Sequence, residues 1–174
     1  MSWMQTYLGN RFIFEGPFNF DIKDIAHSLA LQCRFNGHCN ELYSVADHSL
    51  YVSQRCEHKL WGLMHDAAEA YVGDIITPLK RNCPFLKETE DRILEAIAVR
   101  FNLPWPVPAE VEDVDLRMWA TEQRDLMCKP LFDWVIDISP YPERIVSRGD
   151  VEGLFLRRFY ILMRDYSFGK NNHG

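Results

Sequence analysis

From residue 21 onward, apolar positions recur at the three-to-four-residue spacing of amphipathic helices. Over Asp21 to Cys33, the side chains Ile22, Ile25, Leu29 and Cys33 share one face, which predicts a first helix. The Asn-Gly pair at 36–37 predicts a break. Ser44 is placed as an N-cap, with Asp47 three residues on as an acidic variant of the capping box. It opens a helix over 45–55 that carries Val45, His48, Ser49 and Val52 on neighbouring faces. A third helix is predicted over 58–72, stopped by Gly73. Segment 74–85, DIITPLKRNCPF, holds two prolines and reads as a loop. Ile93, Leu94, Ile97, Ala98 and Phe101 form the stripe of a fourth helix over 87–101. Three prolines within 104–108 forbid regular helix there. A fifth helix follows over 109–128, and a last one over 148–165 is amphipathic through Val151, Leu154, Phe155, Phe159 and Leu162. Segment 129–145 reads as irregular and in part extended, and RFIFEG at 11–16 as a short extended piece. The expectation is an all-α fold: a single domain spanning 1–174, a bundle of about six main helices.

Composition narrows the class. A chain of 174 residues, 47% apolar and 25% charged, can bury one sizeable core. No stretch approaches the length of an apolar membrane span. The start, MSWMQTYLGNRF, lacks the basic and apolar runs of a secretory signal. Five cysteines without a Cys-x-x-Cys pair predict a reduced, cytoplasmic protein with no cysteine metal site. A net charge of −6 argues against gripping duplex nucleic acid by its phosphates, but leaves room for a small nucleotide. Phe12, Phe14, Phe18 and Phe20 suit either a cover over the core or an interface.

One stretch breaks the core pattern. In MHDAAEAYVGD, residues 64–74, small and apolar residues surround His65, Asp66, Glu69 and Asp74. Glu69 lies four residues beyond His65 and three beyond Asp66, so on a helix it rises over the same face. Asp74 follows Gly73 and can fold back toward the helix end. Clustered carboxylates repel one another, more so where water is scarce, and a divalent cation removes the problem. Imidazole and carboxylate suit zinc, manganese, iron or cobalt. His48 on the second helix and Asp115 on the fifth offer ligands from elsewhere in the chain, and Trp119 and Glu122 share the face of Asp115. Read singly, His48 fits a core histidine and Asp115 a solvated charge. His38 follows the Asn-Gly break and reads as a loop residue; His27 and His58 read as surface positions.

Taken together, DHS at 47–49, HDAAEAYVGDIITPLK at 65–80 and the Asp of VDLRMWATE resemble the HD superfamily of metal-dependent phosphohydrolases. The resemblance runs from about Asp24 to Met127. It is closest to the small single-domain branch with bacterial 5'-deoxynucleotidases and phage deoxynucleoside triphosphohydrolases. The resemblance implies a divalent metal ion (manganese, cobalt, zinc, iron or magnesium) held by His48, His65, Asp66 and Asp115. It implies that Glu69 handles the proton of an attacking water and that Asp74 is a second acid or water-orienting group. Arg34 matches an arginine on the substrate phosphate, and Lys80 a lysine that reaches the phosphates. Phe35 stands where the family often has Trp and offers a ring to stack on a base or sugar; Thr77 adds a hydroxyl. The implied activity is hydrolysis of a deoxynucleoside monophosphate. The alternatives are release of triphosphate from a deoxynucleoside triphosphate, through basic residues such as Lys80, Arg81 and Lys87, and a non-catalytic nucleotide-binding module. The resemblance further implies a homo-oligomer in the cytoplasm of a bacterial or phage-infected cell, with a small nucleotide as partner and no membrane.

Overall fold

Ser44 and Asp47 set the start of the central helix. The Asp47 amide donates to Ser44 Oγ at 3.1 Å, and the Ser44 amide donates back to Asp47 Oδ2 at 3.1 Å. Two amides that helix geometry leaves without partners are satisfied reciprocally. Helix α2, Val45–Arg55, then runs through the middle of the molecule with every residue from Val45 to Ser53 buried. The computed structural model describes residues 3–132 and 137–171. Around α2 pack α1 (Ile22–Leu31), α3 (Lys59–Met64), α7 (Ala109–Leu126) and α8 (Val151–Asn171). Short α4 (Glu69–Val72) rests on α1, and α6 (Pro84–Phe101) packs on α4 and on short α5 (Thr77–Lys80). Among the described residues the fold is all-α apart from a two-stranded hairpin, β1 (Trp3–Gln5) against β2 (Arg11–Ile13), with Met4 opposite Phe12. Among the described residues no helix is long and apolar enough to cross a membrane.

The aromatic N-terminal segment covers the core. Phe12 and Phe20 are buried, and Phe12 stacks on Tyr71 of α4 at 4.1 Å between ring centres. Phe14 and Phe18 pack against the same cluster less completely.

Several elements depart from the expected boundaries. The helix expected over 58–72 is divided. His65 to Ala68 tighten into i→i+3 turns, with Ala67 N donating to Met64 O and Glu69 N to Asp66 O, both at 2.9 Å. The side chain of His65 bonds the Gly62 carbonyl at 3.0 Å, the oxygen that the Asp66 amide takes in an undistorted helix. That competition explains the tightening at the His-Asp doublet. The 74–85 loop contains α5, because Pro78 in its first turn has no amide to lose there. Pro84 likewise begins α6 three residues before its apolar stripe suggested. The last helix starts at Val151, after Asp150, whose side chain and carbonyl accept from Gly153 N and Leu154 N. It runs on to Asn171. Of segment 129–145, residues 133–136 lie outside the described residues, and the rest holds neither helix nor strand.

Candidate metal centre

Gly62 is where the site begins. A methyl group at this position would lie 2.8 Å from Cys56 Sγ and 3.0 Å from the Ser53 backbone. Only glycine lets α3 approach the end of α2 this closely. The approach carries His65 toward His48, leaving their Nε2 atoms 3.2 Å apart. From α7, Asp115 Oδ1 comes to 2.9 Å from His48 Nε2 and 3.9 Å from His65 Nε2. Asp66 Oδ2 lies 3.3 Å from His65 Nε2 and 3.7 Å from His48 Nε2. The ligand atoms of His48, His65 and Asp115 all fall within 4.8 Å of one another. Helix α2, the turn between α3 and α4, and helix α7 thus bring four candidate ligands together.

The far nitrogens of both rings are committed. His48 Nδ1 bonds Glu122 Oε1 at 2.6 Å, and His65 Nδ1 bonds the Gly62 carbonyl. A carboxylate and a carbonyl only accept, so each Nδ1 donates. In the neutral rings, both Nε2 atoms then present lone pairs toward each other and toward two carboxylates. A positive charge between them resolves that repulsion. Imidazole nitrogens with carboxylate oxygens fit a divalent first-row cation. A ligating histidine that gives its other N–H to a carboxylate or carbonyl is the usual outer arrangement of such sites.

The electrostatics agree. Burial pushes the His48 imidazolium down, as does Arg34; Glu122 and Asp115 outweigh both and raise its pKa from 6.5 to about 10. Burial would raise the carboxyls of Asp115 and Glu122, but His48 and Arg34 hold both below the ordinary carboxylate range. This pocket of the protein favours positive charge.

Arg34 lies alongside. It sits in a turn, Arg34–Gly37, in which Phe35 and Asn36 both adopt left-handed backbone angles. Its Nε and Nη2 donate to Glu122 Oε2 at 3.1 and 2.9 Å, and its Nη1 faces Asp66 Oδ2 at 3.8 Å. The Phe35 ring lies 5.5 Å from the guanidinium. Glu122 therefore fixes both a candidate ligand and the candidate phosphate-binding arginine. The sequence placed Glu122 on the face of Asp115 without giving it a task; its seven-residue spacing was the available signal.

The acids of the doublet segment divide. Glu69 is buried, with Oε1 accepting from Lys80 Nζ at 3.0 Å. Burial raises its carboxyl well above the ordinary range, as do Asp66 and Asp74, while Lys80 opposes them. Gly73, at φ 85° and ψ 155°, ends α4 in a backbone region that glycine alone occupies freely. The chain turns back there, and the Asp74 amide donates to Gln32 Oε1 at 3.0 Å. Burial raises the Asp74 carboxyl too, against Arg34 and Lys80. Thr77 is exposed at the start of α5. His38 is exposed beyond the Arg34 turn. His27 bonds Glu152 at 2.9 Å and His58 bonds Glu110 at 3.1 Å. The cysteines Cys33, Cys39, Cys56, Cys83 and Cys128 are all free thiols.

No family model matches the chain. It is 39% identical over 168 residues to the uncharacterized protein YfdR of Escherichia coli strain K12, across 91% of this chain and 94% of that protein. The chain belongs to the same family as that protein. It is also 35% identical over 125 residues to the uncharacterized protein RCAP_rcc00048 of Rhodobacter capsulatus, across 64% of each.

Proposed function

We propose that this protein is a metal-dependent phosphohydrolase of the HD type that removes the 5'-phosphate of deoxynucleoside monophosphates. The observation that carries the reading is the pair of Nε2 atoms, His48 and His65, 3.2 Å apart with both Nδ1 atoms committed elsewhere. Asp115 and Asp66 complete the donor set. When bound there, a divalent cation supplies Lewis acidity toward water and a phosphate oxygen. The chain's own groups do the rest. Arg34, anchored by Glu122, presents Nη1 on the Asp66 side to a phosphate oxygen. Glu69 takes a proton from the attacking water as its oxygen bonds phosphorus. The bond from phosphorus to the 5' oxygen breaks, and in this reading the departing oxygen takes a proton from Asp74. Two carboxylates in different surroundings suit such a division. Phe35 offers a stacking face and Thr77 a hydroxyl at the rim.

The monophosphate reading is favoured over triphosphate release by the state of Lys80. Lys80 is paired with Glu69 and Glu90, and Lys87 with Asp91. Lys80 is thereby committed between two enclosed carboxylates, whereas Lys87 and Arg81 lie exposed on the surface. The test is a product assay. Metal-stripped protein, resupplied with manganese, cobalt or zinc, meets a panel of deoxy- and ribonucleoside mono- and triphosphates. Orthophosphate from a deoxynucleoside monophosphate, lost in His65→Ala and Glu69→Ala, is the expected result. Triphosphate release would move the protein to the other branch. No metal-dependent product would leave a nucleotide-binding module.

A further inference from the structure

We infer that Glu90, acting through Lys80, is a positioning residue that holds Glu69 by one oxygen and keeps the other free as a proton acceptor. The inference rests on the phosphohydrolase reading for the purpose of Glu69. Three elements meet at this point: Glu69 on α4, Lys80 on α5 and Glu90 on α6. Lys80 Nζ lies 3.0 Å from Glu69 Oε1 and 2.6 Å from Glu90 Oε1. All three side chains are largely enclosed, at 5%, 18% and 12% exposure for Glu69, Lys80 and Glu90.

Glu69 Oε2 is fully enclosed and has no hydrogen-bond partner among the described residues. An orphaned carboxylate oxygen in such a place is costly, and it calls for a donor that arrives later. In the proposed reaction that donor is the attacking water. The backbone of Glu69 is gripped as well, its carbonyl accepting from Gln32 Nε2 at 3.1 Å. The same Gln32 receives the Asp74 amide through Oε1, so one side chain holds the backbone of both acids. The side chain of Glu69 therefore has one held oxygen and one free oxygen on a fixed backbone.

A base must be ionised to work, and the Lys80 ammonium is the group that opposes burial, Asp66 and Asp74, which together raise the Glu69 carboxyl well above its ordinary range. Burial alone would pull the Lys80 ammonium down; Glu69 and Glu90 raise it above its ordinary range, so it stays charged. To reach a substrate phosphate instead, Lys80 would have to leave two enclosed carboxylates without a counter-charge. The geometry thus gives Lys80 to the acid rather than to the phosphate, and Glu90 is what holds Lys80 in place.

The experiment compares Glu90→Gln, Lys80→Met and Lys80→Arg with the wild type on a deoxynucleoside monophosphate under saturating manganese. Glu90→Gln is expected to lower kcat about tenfold and Lys80→Met about a hundredfold, as befits a disturbed general base, each with KM within about twofold of wild type. Lys80→Arg is expected to recover part of the loss. A KM that rises in Lys80→Met with kcat intact would overturn the inference and make Lys80 a phosphate ligand. Wild-type kcat in Glu90→Gln would also overturn it. If the wild type hydrolyses no nucleotide, the proposed function falls on its own. The clamp is then read by the nitrogen resonance of the Lys80 ammonium, assigned with Lys80→Arg. Slow proton exchange that is lost in both Glu69→Gln and Glu90→Gln supports the clamp; a signal indifferent to both overturns it.

Discussion

Glu122 is fully buried yet ionised, because Arg34 and His48 outweigh the cost of its burial. One carboxylate spans both partners, Oε1 to the imidazole and Oε2 to the guanidinium. Its loss frees the His48 ring to turn and leaves Arg34 facing Asp66 alone. Glu122→Gln is therefore expected to weaken metal binding about 10–100-fold, the usual cost of losing such an outer partner. Competition with a chelator of known affinity measures this, and unchanged affinity would remove the orienting role. His48 also sets a pH dependence. Its Nε2 must lose a proton to meet a cation, and without metal its pKa is pushed up to about 10. Below that value metal displaces a proton, so affinity should rise about tenfold per pH unit. In the metal-free protein the sign is opposite. A group whose folded pKa is raised gives its stability below the ordinary value of 6.5, and loses it as pH rises through about 10. The gain in melting temperature from added metal should then grow steadily from pH 6 to pH 9.

At the scale of elements, the spacing of α2 and α3 decides whether His48 and His65 meet. Gly62 sets that spacing, since a Cβ there would press on Cys56 and the Ser53 backbone. Gly62→Ala should cost about 1–3 kcal/mol of stability by overpacking, read from denaturant midpoints. It should also weaken metal binding by moving the two rings apart. Stability lost with affinity kept would mean that α3 shifts without carrying His65 along. Ser44→Ala, which removes the capping box of α2, should cost about 1 kcal/mol. Its effect on the site should be smaller, because His48 is held from α7 by Glu122.

For the whole molecule, the candidate ligands come from α2, the α3–α4 turn and α7, so a bound cation ties together elements distant in sequence. Metal at a hundred times its dissociation constant should add about 2.7 kcal/mol to unfolding, and chelation should reverse it. The segment after α7 is pinned separately. Hydrogen bonds from Arg124 hold the Asp125 carboxyl below its ordinary value of 3.8, against the effect of burial, and Ile145 N also donates to it. A lowered carboxyl pKa gives stability above the ordinary value, lost as pH falls through the folded one. Asp125→Asn should accordingly lower the melting temperature at pH 7, by less at pH 3, and an equal loss at both would refute this linkage.

Local patterns were enough for much of the architecture. The Ser44 cap, the limits of α2, the stop at Gly73 and the helical stripes of α6 and α8 follow from spacing and turn chemistry, which act over a few residues. The cluster of His65, Asp66, Glu69 and Asp74 stood out because charge within a core-like stretch has few structural explanations. What remained hidden depended on contacts between distant segments. The break at His65 arises from a side-chain bond to Gly62, and the need for glycine there from the surface of α2. Glu122 reads as one more acid on a helix until Arg34 and His48 are brought to it. Lys80 reads as a free cation until α4 and α6 place a carboxylate on each side. Period and capping are properties of neighbouring residues and are written in the chain. The partner of a buried charge is chosen by packing, and only the folded molecule names it.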